Sequence, residues 1–299
     1  AAASTYAGVT HVMAGAGLGL VAGGSVTNSA RVQVDGLFDL SGDVTLRSIR
    51  DLNGIGRVAL GDSTLEVTNG ASTFAGTIDG TGGLVVSGGT QGLSGNNAYT
   101  GHTQIAVGAT LALSGDGAIE HSSAIGNDGV LDIAATLAGA RVRSLSGHGR
   151  VELGERVLSL TATSDRFDGI LAGAGGLAVE AGQQSLTGAN TYTGTTRVDP
   201  GAILRLEGAG AIDQSAVARI DGALDLSPGL PVQSLRTVAG TGVIALGSNM
   251  LNISAGSTEF GGTIAGSGGL QIAAGTQVLS GSNIYTGSTV IAPGACLLY

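Results

Sequence analysis

Pairs of aspartates recur along this chain with the spacing Asp-Gly-x-x-Asp. They are Asp35 and Asp39, Asp128 and Asp132, and Asp221 and Asp225. Clustered carboxylates are the ligands that Ca²⁺ prefers. On an extended strand, however, residues four positions apart are separated by about 13 Å, which is too far for one ion. We therefore expect each pair to be an Asp-Gly turn followed by an outward-facing aspartate, and we predict no metal site.

A serine lies in the tripeptide Gly61-Asp62-Ser63, which also surrounds the nucleophile of chymotrypsin-like proteases. Thr64 follows it where those enzymes have glycine. The equivalent positions further along the chain read Gly154-Glu155-Arg156 and Gly247-Ser248-Asn249. A turn between two strands explains all three tripeptides. We predict no catalytic residue and no enzymatic activity.

Other reactive side chains are few. The four histidines share no spacing that would suit a metal site or a catalytic base; they are His11, His102, His121 and His148. The single cysteine, Cys296, excludes an internal disulfide and a redox pair. The 13 basic residues are all arginine and the formal net charge is −9, so the chain offers little surface for phosphate. We expect no cofactor and no nucleic-acid partner.

Aromatic and basic residues recur with a period of 93 positions. The members of these series are Tyr6, Tyr99, Tyr192 and Tyr285, then Phe74, Phe167 and Phe260, then Arg50, Arg143 and Arg236. The period predicts three copies of one unit, residues 6–98, 99–191 and 192–284, with a partial fourth at 285–299. We refer to the first three as copies 1, 2 and 3, and expect residues 1–299 to form one repetitive domain.

Aliphatic residues alternate with polar ones in each copy, as at Val58 and Leu60 and then at Leu65 and Val67. The alternation predicts short β-strands separated by turns, and uninterrupted helical patterns are missing. Two architectures suit such strands, a ring of hairpin blades and a parallel β-helix. Because 93 residues divide into four coils of about 23 residues more naturally than into blades, we predict an all-β parallel β-helix of about 13 coils.

A longer pattern recurs from each of the three phenylalanines. It reads F-x-G-x-I/L-x-G-x-G-G-L and then L-S/T-G-x-N-x-Y-T-G-x-T. This pattern resembles the passenger-associated β-strand repeat of Gram-negative autotransporters, and the resemblance implies a right-handed parallel β-helix exported across the outer membrane by type V secretion. At the start of the chain, Ser4 stands where this pattern has asparagine.

Autotransporter passengers are normally followed by a membrane β-barrel that exports them. A barrel needs aromatic girdles, and this chain has five tyrosines, four phenylalanines and no tryptophan. We therefore expect the chain to be a passenger fragment, trimmed at both ends, without its own C-terminal outer-membrane barrel. An unfinished coil at Tyr299 would favour head-to-tail self-association.

Three series of residues stand out as structural positions of the repeat. Asn97, Asn190 and Asn283 lie two positions before a tyrosine, and we expect them to bond to the backbone of an adjacent coil. We expect Tyr99, Tyr192 and Tyr285 to cover a coil corner with the hydroxyl at the solvent boundary, carbohydrate stacking being the alternative. We expect Arg50, Arg143 and Arg236 to pair with carboxylates or to lay their stems on the coil, ligand binding being the alternative.

The resemblance and the uninterrupted repeat together favour a structural role. The expected function is a cell-surface or secreted stalk or adhesin in cell–cell or host attachment, with a host-cell or bacterial surface ligand as partner. The body of a secreted toxin is an alternative. A β-helical polysaccharide lyase is a further one, but its chemistry needs clustered carboxylates beside Arg or Lys.

Overall fold

The computed structural model describes residues 5–21, 23–42 and 46–299, so the expectation for Ser4 lies outside the described residues. The described chain has strands and turns and no helix. Parallel strands stack as a β-solenoid of about 14 turns, which confirms the prediction of an all-β parallel β-helix. By its internal contacts the chain divides into two compact units, Ala1–Glu152 and Leu153–Tyr299.

The first unit contains short strands joined by turns. They are β1 Val9–Val12, β2 Gly17–Gly19, β3 Arg31–Val34, β4 Leu37–Asp39, β5 Leu46–Ile49, β6 Leu52–Asn53, β7 Arg57–Ala59, β8 Thr64–Val67, β9 Thr73–Phe74, β10 Thr77–Asp79, β11 Leu84–Val86, β12 Thr90–Leu93, β13 Thr103–Ile105, β14 Thr110–Gly115, β15 Ile125–Asn127, β16 Val130–Thr136, β17 Ala140–Val142, β18 Leu145–Ser146 and β19 Arg150–Gly154, which ends beyond the unit boundary.

The second unit repeats this arrangement. Its strands are β20 Val157–Leu160, β21 Arg166–Phe167, β22 Ile170–Gly173, β23 Gly176–Val179, β24 Gln183–Leu186, β25 Thr196–Val198, β26 Ile203–Leu206, β27 Ala218–Ile220, β28 Ala223–Asp225, β29 Val232–Leu235, β30 Val238–Ala239, β31 Val243–Gly247, β32 Met250–Ile253, β33 Glu259–Phe260, β34 Thr263–Gly266, β35 Leu270–Ile272, β36 Thr276–Leu279, β37 Thr289–Ile291 and β38 Cys296–Leu298.

Strands pair from one turn to the next in columns, which we call stacks. In the first unit, one stack runs through β1, β3 and β6 and continues by the Gly54–Phe74 bridge into β9, β12, β14, β16 and β19. A second contains β2, β4, β7 and β10, and a third contains β5, β8, β11, β13, β15 and β18. The second unit has the stacks β21-β24-β26-β28-β31-β34, β20-β23-β25-β27-β30 and β29-β32-β35-β37, with β33-β36-β38 continuing the middle one through Gly240 and Phe260.

The pairing register sets the length of one turn at about 20 residues. Val32 pairs with Leu52, Leu84 with Thr103, and Leu204 with Leu224. The predicted turn of about 23 residues is therefore wrong. It assumed that each 93-residue copy holds a whole number of turns, and the copy instead holds about four and two-thirds.

Because the copy is not a whole number of turns, equivalent strands of consecutive copies belong to different stacks. Strand β14 is the copy 2 equivalent of β2, yet it pairs with β12 in the first stack, whereas β2 pairs with β4 in the second. The same shift separates β26 from β38 in the second unit. Each copy therefore presents its surface residues from another stack than the copy before it.

The alternating aliphatic residues form the core inside each turn. Val58, Leu60, Leu65 and Val67 are fully buried. Their equivalents are also fully buried: Val151, Leu153, Leu158, Leu160, Ile244, Leu246, Leu251 and Ile253. Burial of these side chains against the turns above and below supplies the main stabilisation of a solenoid. Among the described residues there is no helix with the length and hydropathy needed to span a membrane.

Candidate functional site

A buried glutamine connects three successive turns in copy 1. Gln91 is fully buried. Its Nε2 lies 2.9–3.0 Å from the carbonyl oxygens of Leu52, Ser72 and Gly92, which share its two N–H groups, and its Oε1 accepts a hydrogen bond from the Leu52 N–H at 3.2 Å. The Ser72 carbonyl also accepts the Gly92 N–H at 2.9 Å, so the glutamine matters most for the Leu52 N–H and carbonyl, which it pairs inside the core.

The same glutamine position recurs in the other copies, at Gln184 and Gln277, and both side chains are fully buried. The two N–H groups of Gln277 Nε2 are shared among the carbonyls of Val238, Thr258 and Val278. In copy 2, Oε1 of Gln184 accepts from the Thr163 hydroxyl at 2.5 Å. Sequence analysis missed this series. Its signal was a glutamine that recurs every 93 positions, always two residues before a leucine.

The asparagines of the repeat also hold adjacent turns together. Oδ1 of Asn97 accepts the Ile78 N–H at 3.0 Å, while Nδ2 donates to the carbonyls of Gly95 and Ala118. Asn190 makes the equivalent three bonds, to Leu171, Gly188 and Ala211. Asn283 bonds to Ile264 and Gly281. Each asparagine replaces a strand-to-strand hydrogen bond at a corner where the ladder stops.

The tyrosines lie deeper than expected. Tyr99 is 1% exposed, and its hydroxyl is 2.6 Å from Oγ1 of Thr103, which in turn is 2.9 Å from Oγ of Ser122. Tyr192 is buried in the same way against Thr196. The expected solvent boundary is therefore wrong for these two rings, because the threonine four positions on satisfies the hydroxyl inside the corner.

The depth of these rings has two consequences. Burial raises the pKa of the Tyr99 and Tyr192 phenols well above their usual value. A ring with no exposed face also cannot stack on a sugar. The remaining tyrosines differ: Tyr285 is partly exposed and Tyr6 is exposed.

The three arginines that recur every 93 positions have exposed side chains; they are Arg50, Arg143 and Arg236. Within the described part of the chain none of the three forms an ion pair with a carboxylate, so the expected pairing is not found. Eight other arginines do form such pairs: Arg31, Arg57, Arg141, Arg150, Arg166, Arg197, Arg205 and Arg219. The carboxylate beside Arg50, that of Asp51, is turned inward and bonded to Arg31.

The candidate nucleophile and the repeated aspartates have structural partners. Ser63 is fully buried and donates to the Leu40 carbonyl at 2.9 Å, so its hydroxyl cannot reach a substrate. Asp35 accepts the Ile55 N–H of the next turn, and Asp39 accepts the N–H and hydroxyl of Ser41. Hydrogen bonds from Gln33 and His11 hold the pKa of the Asp35 carboxyl below its usual value.

The Asp-Gly-x-x-Asp pairs of copies 2 and 3 bind backbone N–H groups in the same way. Asp128 accepts from His148 and Asp132 from Ala134, while Asp221 accepts from Thr241 and Asp225 from Ser227. Among the described residues, no three His, Cys, Asp or Glu side chains are grouped as a metal ion would require. These aspartates stabilise turns.

A buried carboxylate in copy 1 gives the solenoid a specific acid sensitivity. Asp51 is 3% exposed. Burial raises the pKa of its carboxyl, but hydrogen bonds from the Ser72 hydroxyl, the Ala71 N–H and Arg31 outweigh burial and hold that pKa below its usual value. A depressed pKa in the folded state stabilises the fold above the unfolded pKa of about 3.9. This stabilisation is lost as the pH falls through the folded value.

Replacing Asp51 with threonine should make the stability of the protein less dependent on pH in the acid range. Copy 3 has Thr237 at this position, and its hydroxyl accepts the Ser257 N–H at 3.1 Å, so the variant keeps an acceptor. Between about pH 5 and pH 2, we expect the wild type to lose on the order of 1 kcal/mol more unfolding free energy than Asp51→Thr. Urea denaturation at a series of pH values measures this. Parallel pH profiles would contradict the assignment.

The comparison with protein families places these corners in a known repeat. The model described as "Passenger-associated-transport-repeat" matches residues 88–113, 179–206 and 274–295. Each match contains the buried glutamine, the cross-turn asparagine and the tyrosine with its threonine. Searches of curated proteins and of solved structures found no match. The chain therefore contains three passenger-associated-transport repeats, the repeat of autotransporter passengers, and this repeat implies export to the cell surface or the extracellular space.

Proposed function

We propose that this passenger is a surface-exposed stalk and adhesin that mediates cell–cell or host attachment, with a ligand on a host or bacterial surface as its partner. The observation that carries this proposal is the use of the recurring polar side chains. The repeated glutamine, asparagine, tyrosine and aspartate positions bond to the chain's own backbone or to its hydroxyl groups. The recurring polar side chains of the repeat therefore hold the protein's own turns together.

The exposed arginines support the adhesive part of the proposal. Three guanidinium groups recur at one position of the repeat without a carboxylate partner among the described residues. A guanidinium group binds carboxylates and phosphates with two parallel hydrogen bonds. Within the first unit, Arg50 precedes β6 of the first stack and Arg143 precedes β18 of the third, so the two guanidinium groups lie beside different stacks. Anionic surface polymers would be suitable ligands.

We also propose that the chain has no enzymatic activity. The serine that resembled a nucleophile is buried, and the recurrent aspartates accept backbone N–H groups. Peptidase and polysaccharide-lyase assays over broad substrate panels test this proposal. Turnover by the wild type that is lost in Ser63→Ala, or turnover that requires calcium, would overturn it.

Attachment to cells tests the adhesive role. Surfaces coated with the wild type should retain bacterial or host cells above the level of an albumin coat. The triple variant Arg50→Gln, Arg143→Gln and Arg236→Gln should retain fewer cells. A matched triple variant, Arg57→Gln, Arg150→Gln and Arg219→Gln, removes exposed arginines that are already ion-paired and should behave like the wild type. Wild-type retention no higher than albumin would contradict the adhesive role.

A further inference from the structure

A crevice of about 200 Å³ opens on the surface of copy 2 between two loops, residues 115–120 and 137–141. We call it the copy 2 crevice. Its walls include Ile119 and Ala140, which are 1% and 7% exposed, and its rim carries the carboxylates of Asp116 and Glu120. None of the repeated structural positions described above lines it.

The equivalent place in the other two copies is occupied by a side chain of the protein itself. In copy 1 the residue is Arg47, which is 8% exposed and donates from Nη1 to the Gly24 carbonyl at 2.9 Å. In copy 3 it is Gln233, which is 2% exposed and donates from Nε2 to the Gly210 carbonyl at 3.3 Å. Both side chains end in a planar group with N–H donors. Each donates to the carbonyl of the equivalent glycine in its own copy, Gly24 or Gly210.

Copy 2 has alanine at this position. The methyl group of Ala140 cannot donate a hydrogen bond, and within the described residues the carbonyl oxygen of Gly117, the equivalent of Gly24, accepts none. In copy 1 the lining of the equivalent crevice includes Arg47 itself. The copy 2 crevice is thus the space that an arginine side chain fills elsewhere in the same molecule.

We propose that the copy 2 crevice binds a guanidinium group, such as the side chain of an arginine in a partner peptide or a small guanidinium compound. The bound group would donate an N–H to the Gly117 carbonyl, as Arg47 does to Gly24. Its charge would be attracted by Asp116 and Glu120, because two carboxylates on the rim face one cation, Arg141. Nε of Arg141 lies 3.9 Å from Glu120, beyond hydrogen-bond distance, so Glu120 keeps acceptor capacity for a ligand.

Ligand titration of the isotope-labelled whole chain by NMR tests the proposal. The probes are N-acetyl-arginine methylamide, the matching citrulline derivative, which keeps the shape and loses the charge, and the lysine derivative. The arginine probe should cause saturable shifts at the Gly117 carbonyl and the Ala140 amide. The other two should bind at least about tenfold more weakly. Equal binding of the three probes, or no saturable shift with arginine, would overturn the proposal.

Variants taken from the sister copies provide the second arm. Ala140→Arg fills the crevice with the residue of copy 1 and should abolish the shifts at Gly117. Ala140→Gln, the residue of copy 3, serves the same purpose if the arginine variant fails to fold. Arg47→Ala opens the copy 1 crevice, which has Gly23 and Thr27 where copy 2 has Asp116 and Glu120, so shifts at Gly24 should saturate only at higher concentrations of the arginine probe than those at Gly117. Shifts that persist unchanged when position 140 is filled would reject the site.

The source of the guanidinium group is distinguished by two further ligands. Agmatine represents a small molecule, and an arginine-centred tetrapeptide represents a protein partner. Tighter binding of the tetrapeptide would favour a protein partner, and equal affinity would favour a small guanidinium compound. This inference does not depend on the adhesive role, since the shifts report binding at Gly117 whether or not the passenger attaches to cells.

Discussion

Replacing Gln91 with alanine is expected to lower the free energy of unfolding by at least about 3 kcal/mol. The variant removes one donor group and one acceptor that together serve the Leu52 N–H and the carbonyls of Leu52, Ser72 and Gly92. The Ser72 carbonyl keeps the Gly92 N–H, but the Leu52 N–H and carbonyl lie in the interior, where each unpaired polar group costs about 1–3 kcal/mol. The lost side-chain volume adds a cavity at the junction of three turns.

Two measurements check this expectation. Urea denaturation followed by circular dichroism gives the change in stability, and hydrogen exchange at the Leu52 amide reports whether the loss is local to these turns. Gln214→Ala is the matched control, because Gln214 is exposed and, among the described residues, its side chain bonds only to that of the neighbouring Asp213. We expect the control to change stability by less than about 0.5 kcal/mol. An equal loss of unfolding free energy in the two variants would show that the Gln91 side chain does not stabilise the junction of the three turns.

The class of fold could be predicted from sequence because, on a strand, every second side chain faces the core, so buried aliphatic residues alternate with polar ones. Leu65 and Val67 alternate with polar residues and are fully buried, as the pattern required. The length of a turn could not be predicted in the same way. Paired residues are often of the same type, as Leu204 and Leu224 are, but their separation varies from 18 positions between Leu46 and Thr64 to 22 between Thr196 and Ala218, so the turn leaves no fixed period in the sequence. Only the 93-residue period is visible, and it is not a multiple of the turn.

The site was predictable where one residue and its partners lie close in sequence. Asn97 was expected to bond to an adjacent turn, and its amide does so. The burial of Tyr99 depended on Ser122, which reaches Thr103 only after a whole turn of the solenoid. The copy 2 crevice arises because Ala140 has only a methyl group where the other copies have a long side chain, and this difference is recognisable only by comparison with Arg47 and Gln233.

Two glycine variants should separate close packing of turns from backbone conformation. Gly82 belongs to the G-x-G-G-L segment, and a Cβ placed there would lie 1.8 Å from the carbonyl oxygen of Ser63 in the neighbouring turn. The same 1.8 Å approach recurs at Gly175 and Gly268. Because that oxygen is backbone, the turns would have to separate. We expect Gly82→Ala to cost about 4 kcal/mol or more, and to disrupt the ladders on both sides.

Gly108→Ala is the matched comparison. Gly108 has a φ of +79° but no atom within 4 Å of an added Cβ, so alanine would encounter only the left-handed backbone conformation. That conformation costs about 1–2 kcal/mol for a residue with a side chain. Thermal and urea unfolding of the two variants should therefore show a much larger loss for Gly82→Ala. A loss at Gly82 no greater than that at Gly108 would mean that adjacent turns can separate freely, and the tight stacking inferred for this solenoid would be wrong.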